Sequence, residues 1–144
     1  MEVHYQKTFF NGRTLHVAAR NFLNRLPKNV NTLVSAGSSG CAIATAMVAL
    51  SDRNLRHVFI RKTYELKTHG DKFVGFEYGM QDDCTCAIVD DFIASGRTVR
   101  RLMKAVPERE LNVTTILVGD APGFNSQDTI EKLERQFRIK VIIV

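Results

Sequence analysis

The stretch from Cys84 to Arg101, CTCAIVDDFIASGRTVRR, constrains this chain more than any other. A short apolar run, Cys86 to Val89, ends in two adjacent carboxylates, Asp90 and Asp91. Small and hydroxylated residues follow, Ala94-Ser95-Gly96-Arg97-Thr98, and then apolar positions at Val99, Leu102, Met103 and Val106 with helical spacing. The pattern reads as strand, loop and helix. Ligands of α/β sheets bind outside the carboxyl ends of the strands. The start of a helix adds unpaired N–H groups and a positive dipole end, so Ser95 to Thr98 suit a phosphate. The two carboxylates just before it do not suit that phosphate. They suit hydroxyl groups or a magnesium ion. A phosphate at one end and a diol a few ångströms away describe a ribose 5-phosphate. Without the surrounding pattern, an Asp pair in such a loop reads better as a turn and helix-entry device.

The chain has 144 residues, enough for one domain with one core. Its formal net charge of +5 favours anionic ligands such as phosphates and permits nucleic acid, but selects neither. Basic residues are spread out, with no run longer than two. The three cysteines, Cys41, Cys84 and Cys86, lack the spacing of a disulfide framework. Cys84 and Cys86 alternate on the expected strand, so buried thiols are expected rather than zinc ligands. This usage fits a reducing compartment. No apolar stretch reaches the ~18 residues of a membrane span, and the N-terminus has no signal-peptide core. A soluble, cytoplasmic protein is expected.

Residues 3–10 read as a strand, with Asn11-Gly12 as a hairpin-type turn pair. Leu15, Ala18, Ala19, Phe22, Leu23 and Leu26 then share one helical face, with Thr14 as N-cap and Pro27 as terminator. Residues 31–36 form a short apolar strand, and Gly37-Ser38-Ser39-Gly40 reads as a tight loop. The uncharged, Ala-rich run 41–50 suits a buried helix. His57 to Ile60 reads as a strand leading into Arg61-Lys62. Residues 63–83 are polar, with Gly70, Gly75 and Gly79, and are weakly strand-like at Phe73 to Phe76. A loop of that length in a compact domain is functional or disordered. Val113 to Val118, Thr129 to Phe137 and Lys140 to Val144 read as strand, helix and strand. The alternation predicts an α/β fold with a parallel sheet and helices on both faces.

The segment Ile88-Val89-Asp90-Asp91-Phe92-Ile93-Ala94-Ser95-Gly96-Arg97-Thr98 resembles the phosphoribosyl pyrophosphate (PRPP) signature of type I phosphoribosyltransferases. It departs at Arg97, where Gly or Lys is more usual. The resemblance implies a single phosphoribosyltransferase domain over residues 1–144, with residues 1–30 as a reduced hood and 31–144 as the Rossmann-like core. It implies transfer of the 5-phosphoribosyl group from PRPP to a nucleobase with Mg²⁺. Asp90 and Asp91 would then bind the ribose hydroxyls, directly or through Mg²⁺, and Ala94, Ser95, Gly96, Arg97 and Thr98 the 5-phosphate.

PRPP needs a second anion pocket, and Ser35, Ala36, Gly37, Ser38, Ser39 and Gly40 follow the first core strand where backbone N–H groups can supply one. Family members often carry a non-proline cis bond there, so one is expected within Ser35-Ala36-Gly37. Arg61-Lys62 and Lys67-Thr68-His69-Gly70 resemble a segment of orotate phosphoribosyltransferases, with about two extra residues between its parts. Arg61 and Lys62 would hold the pyrophosphate, while Lys67 and His69 would meet its charge as it leaves. The resemblance also implies a homodimer. The base stays open: orotate, or another pyrimidine or purine. The alternative reading is a PRPP-binding regulator without turnover that uses its basic surface for nucleic acid. Both exclude a membrane.

Overall fold

A computed structural model describes residues 11–60, 73–74, 84–105 and 111–144. The elements run α1 (Gly12–Arg25), β1 (Thr32–Ser35), α2 (Ser38–Leu50), β2 (Arg56–Ile60), β3 (Phe73–Val74), β4 (Thr85–Asp90), α3 (Arg97–Ala105), β5 (Asn112–Val118), α4 (Gln127–Phe137) and β6 (Lys140–Ile143). The expected strand at residues 3–10 lies outside the described residues.

The strands form one sheet in the order β3-β2-β1-β4-β5-β6. Its pairings are parallel except for β3, which runs antiparallel to β2 at one edge. This is the α/β architecture expected from the alternation. The chain leaves β1 toward β2 on one side and continues from β4 toward β5 on the other. The switch point, where an open α/β sheet binds ligands, therefore lies between β1 and β4.

Strand alternation sorts the core onto the two faces. Leu33, Ala87, Val89 and Leu117 meet Ala19 and Phe22 of α1 and Ile43, Ala44 and Met47 of α2. Val34, Cys86, Ile88 and Ile116 face the opposite way, onto Val99 and Leu102 of α3 and Ile130 and Leu133 of α4. Fully burying each of these larger side chains stabilises the fold by about 1.5–3 kcal/mol. The helix before β1 thus shares its core with α2 and the sheet.

Four local expectations are corrected. Asn11-Gly12 is not a hairpin turn, and Thr14 is not the N-cap of α1. Asn11 caps the helix instead, its Oδ1 accepting from the N–H of Arg13 at 3.0 Å and of Thr14 at 3.4 Å. Such a cap stabilises by about 1 kcal/mol, and the Thr14 hydroxyl donates to the Asn11 carbonyl. Ser38-Ser39-Gly40 is not loop but the first turn of α2, with Gly37 as N-cap at φ 79°. No cis peptide occurs among the described residues, so the bond expected within Ser35-Ala36-Gly37 is absent. The turn there is made by the positive φ of Gly37, a conformation glycine adopts without steric strain.

Candidate functional site

A cleft of about 190 Å³ opens at the switch point. Ala36 to Ser39 form one wall, and Asp90 to Val99 form the floor and the other wall. The structure thus brings the expected second anion loop against the expected carboxylate pair and 5-phosphate loop. Ser35 lies at the root of the first wall, fully buried. Gly40 packs behind it.

Each wall ends in the start of a helix. On the first side, Gly37 has no side chain to cap α2, and α2 has no acidic residue in its first turn. The Oγ of Ser39 is buried there without a hydrogen-bond partner among the described residues. A buried hydroxyl without a partner is uncommon, because desolvation is then uncompensated. On the second side, Gly96 at φ 71° turns the chain into α3, which also has no acidic residue in its first turn. The Ser95 hydroxyl accepts from the Arg97 N–H at 3.3 Å. Arg100 reaches back from the helix to donate to the Ser95 carbonyl at 2.8 Å, closing the loop from outside. Both helix starts present N–H groups and positive dipole ends to one cleft.

The carboxylates stand between the two helix starts. One Asp90 oxygen accepts from the Asp91 N–H and one Asp91 oxygen from the Phe92 N–H, each at 3.0 Å. These bonds fix both side chains at the end of β4. Asp91 is buried, while Asp90 is half-buried. Among the described residues no cluster of three or more His, Cys, Asp or Glu side chains forms a metal site. Two carboxylates fit magnesium nonetheless, since that ion keeps several waters and takes one or two protein carboxylates plus substrate phosphates.

Asn125, in the loop between β5 and α4, escaped sequence reasoning. Its side-chain oxygen accepts from the Ile93 N–H at 2.8 Å, and its amide donates to the Gly119 carbonyl at 2.9 Å. The Ser126 N–H donates to the Ile93 carbonyl at 2.8 Å, and the Gly119 N–H to the Asp91 carbonyl at 3.1 Å. The loop after β5 is therefore stitched onto the loop carrying the carboxylates. Beside the stitch, the rings of Phe92 and Phe124 meet at 5.2 Å, with Phe92 lining the cleft and Phe124 exposed. Asn125→Ala is expected to lower stability by about 1–3 kcal/mol, because the buried Ile93 amide loses its acceptor. The measurement is a urea midpoint that falls with unchanged slope. An unchanged midpoint would mean that water replaces the side chain.

His57, on β2, meets a hydroxyl on each of its ring nitrogens. Its Nε2 stands 2.7 Å from the Ser35 Oγ, and its Nδ1 3.4 Å from the Thr45 Oγ1. Burial pushes the imidazole down from its ordinary 6.5 to about 4, so the folded protein holds it neutral at neutral pH. Between those values the unfolded chain binds the proton more readily. Stability should therefore fall as the pH is lowered from 6.5 toward 4, by about 1–3 kcal/mol from this group. His57→Phe should flatten that part of the stability–pH curve, measured by denaturant unfolding. An identical slope in both proteins would contradict the assignment.

The remaining residues divide clearly. Burial pushes the Cys86 thiol up to about 12, with Cys84 beside it adding to the effect, so Cys86 is an inert thiol at neutral pH. Asp120 is exposed and does not line the cleft. Arg61, Lys62, Lys67 and His69 lie outside the described residues, as does the expected loop 63–83 apart from Phe73 and Val74. Among the described residues no helix is long and apolar enough to cross a membrane.

No protein-family model matches the chain. An orotate phosphoribosyltransferase of Alteromonas mediterranea is 29% identical over 121 residues, covering 79% of this chain and 55% of that protein. One from Pseudomonas syringae pv. syringae is 28% identical over 106 residues, covering 72% and 48%. The chain spans about half the length of these curated relatives. Among solved structures, the orotate phosphoribosyltransferase of Mycobacterium tuberculosis in complex with PRPP superposes with a TM-score of 0.76 at 13% identity, over 99% of this chain and 78% of that one. The adenine phosphoribosyltransferase of Leishmania donovani superposes at 0.67 and 14% identity, over 94% and 65%. In fold, and in the sequence relatives it matches, the chain is similar to type I phosphoribosyltransferases, the orotate enzymes among them.

Proposed function

With the type I phosphoribosyltransferase fold as premise, we propose that this chain transfers the 5-phosphoribosyl group of PRPP to a nucleobase and releases pyrophosphate. Orotate is the first acceptor to test, after the relatives of that name. The carrying observation is the pair of helix starts, neither with a first-turn acid, on either side of Asp90 and Asp91 in one cleft. Two anion cradles around two carboxylates match a ligand with phosphate at both ends and hydroxyls between them.

In this reading Ala94 to Thr98 hold the 5-phosphate, and Ser35 to Gly40 hold the pyrophosphate together with Arg61 and Lys62. Ser39 supplies a buried hydroxyl that no partner among the described residues claims. Asp90 and Asp91 hold the ribose hydroxyls and favour the positive charge that builds on the ring as the bond from C1 to the pyrophosphate oxygen breaks. The new bond forms from C1 to a ring nitrogen of the base. Lys67 and His69 meet the negative charge arriving on the pyrophosphate. Magnesium, when bound, neutralises phosphate charge, and Asp90 and Asp91 are the residues to hold it, directly or through water. The Phe92–Phe124 pair, its rings tilted 46° to each other, offers an aromatic rim against which a planar base can pack. We read residues 1–144 as one domain, with 1–30 as its hood, working as a homodimer in the cytoplasm.

The test is pyrophosphate release from PRPP and Mg²⁺ with orotate, uracil, adenine, guanine, hypoxanthine or xanthine in turn. Release dependent on one of these bases is expected. PRPP binding without release for any base would overturn the transferase reading and favour the regulator. No observation on the described residues favours that regulator now.

A further inference from the structure

His57 is a half-buried titratable group beside the cleft that the reaction above leaves unused. In the register of β1 with β2, His57 pairs with Leu33 and Phe59 with Ser35. The imidazole therefore reaches along the sheet face covered by α2 to the hydroxyl two residues beyond Leu33. Ser35 is the last residue of β1, and the next two residues, Ala36 and Gly37, open the first wall of the cleft. On its other nitrogen the ring meets Thr45, which lies within α2. One ring thus bridges the strand before the Ala36–Gly37 turn and the helix after it.

We propose that His57 is a positioning residue for the pyrophosphate half of the site, setting the angle at which the first turn of α2 faces the cleft. The proposal rests on the function inferred above. Either neutral tautomer serves it, because one ring nitrogen donates while the other accepts, and each hydroxyl takes the complementary role. The ring supplies geometry and no charge, since burial keeps it unprotonated at neutral pH. Gly37 cannot supply that geometry, having no side chain and no cap contact. Amides aimed at an anion act only when aimed correctly, so the device has a direct consequence for one ligand half. The 5-phosphate half is built separately, on β4, α3 and the Asn125 stitch, and does not pass through His57.

The test is calorimetric titration with magnesium pyrophosphate and, separately, with ribose 5-phosphate, on the wild-type chain and on His57→Phe, His57→Gln and Ser35→Ala. His57→Phe keeps a flat ring but loses both bonds. It should weaken pyrophosphate binding by about tenfold, the scale of one lost hydrogen bond, and leave ribose 5-phosphate within about twofold. His57→Gln retains a polar group with the reach of Nε2 and should recover most of the loss. In a Ser35→Ala background, His57→Phe should add little, because losing the Ser35 end already breaks the bridge from β1 to α2. Equal pyrophosphate affinity in wild type and His57→Phe would overturn the proposal. Equal losses for both ligands would also overturn it, showing a general structural role. Should His57→Phe not fold, His57→Asn, too short to reach Ser35, carries the same expectation. A wild-type chain that binds neither ligand would instead fail the functional reading itself.

Discussion

Asp90→Asn combined with Asp91→Asn should weaken PRPP binding in the presence of Mg²⁺ by on the order of 10²–10⁴-fold while leaving the fold intact. Each carboxylate oxygen that accepts a backbone N–H, from Asp91 and from Phe92, has an equivalent in the asparagine carbonyl, so the local hydrogen bonds survive the exchange. What disappears is charge. A charge-assisted hydrogen bond to a ligand hydroxyl contributes about 1.5–3 kcal/mol, and two such bonds go together. Since Asp91 is buried, neutralising it also removes a desolvation penalty, so unfolding should not become easier. The measurement pairs calorimetry with PRPP and urea unfolding of the same samples. Unchanged PRPP affinity would remove the carboxylates from the site. A collapse in stability would reassign them to structure.

Gly40→Ala should disable the other side of the cleft. Helix propensity favours alanine inside a helix by about 1 kcal/mol, so on that ground the change should stabilise α2. Packing decides against it. A Cβ at this position would stand 2.6 Å from the Val89 carbonyl oxygen, 3.4 Å from an Asp90 carboxylate oxygen and 3.5 Å from the Ser35 Cβ. The first of these atoms is backbone in β4, flanked by β1 and β5, and cannot step aside. The helix start must move instead. Overpacking of this kind costs about 1–3 kcal/mol of stability. A displacement of about an ångström between amides and ligand is enough to lower turnover on the order of 10²-fold. Thermal unfolding and a pyrophosphate-release assay on the variant test both parts. An alanine variant as stable and as active as the parent would show that α2 does not press on β4.

How legible these features were in the chain follows from how far their causes reach. Residues 84–105 were readable because the strand, the carboxylate pair and the helix entry are local and adjacent. The sheet class followed from alternation in the same way. Asn11 is ambiguous in the sequence because Asn-Gly serves a hairpin turn and a helix start equally well. Only the bonds to Arg13 and Thr14 choose between them. Gly37 and Gly40 look in the sequence like parts of one turn, whereas they do different work. Gly37 turns the chain, and Gly40 admits β4 to the helix, a reason that lies on another strand. His57 and Asn125 carried no signal, since their partners Ser35 and Ile93 are 22 and 32 residues away. No periodicity records a hydrogen bond of that span.

The seating of β1 beside β4 has a metrical consequence. The two strands are locked in register at Thr32 with Cys86, Leu33 with Ala87 and Val34 with Ile88. Neighbouring strands sit about 4.8 Å apart, and that spacing does not stretch. One cradle grows from the end of each strand, so the distance between them is set by the sheet and not by the loops. In the proposed function the cleft works as a gauge. It accepts or rejects a ligand charged at both ends by the length between those ends, before any side chain reads what lies between. Shorter or longer bis-phosphorylated sugars of equal charge should then compete poorly with one of matching span, however high their concentration of charge.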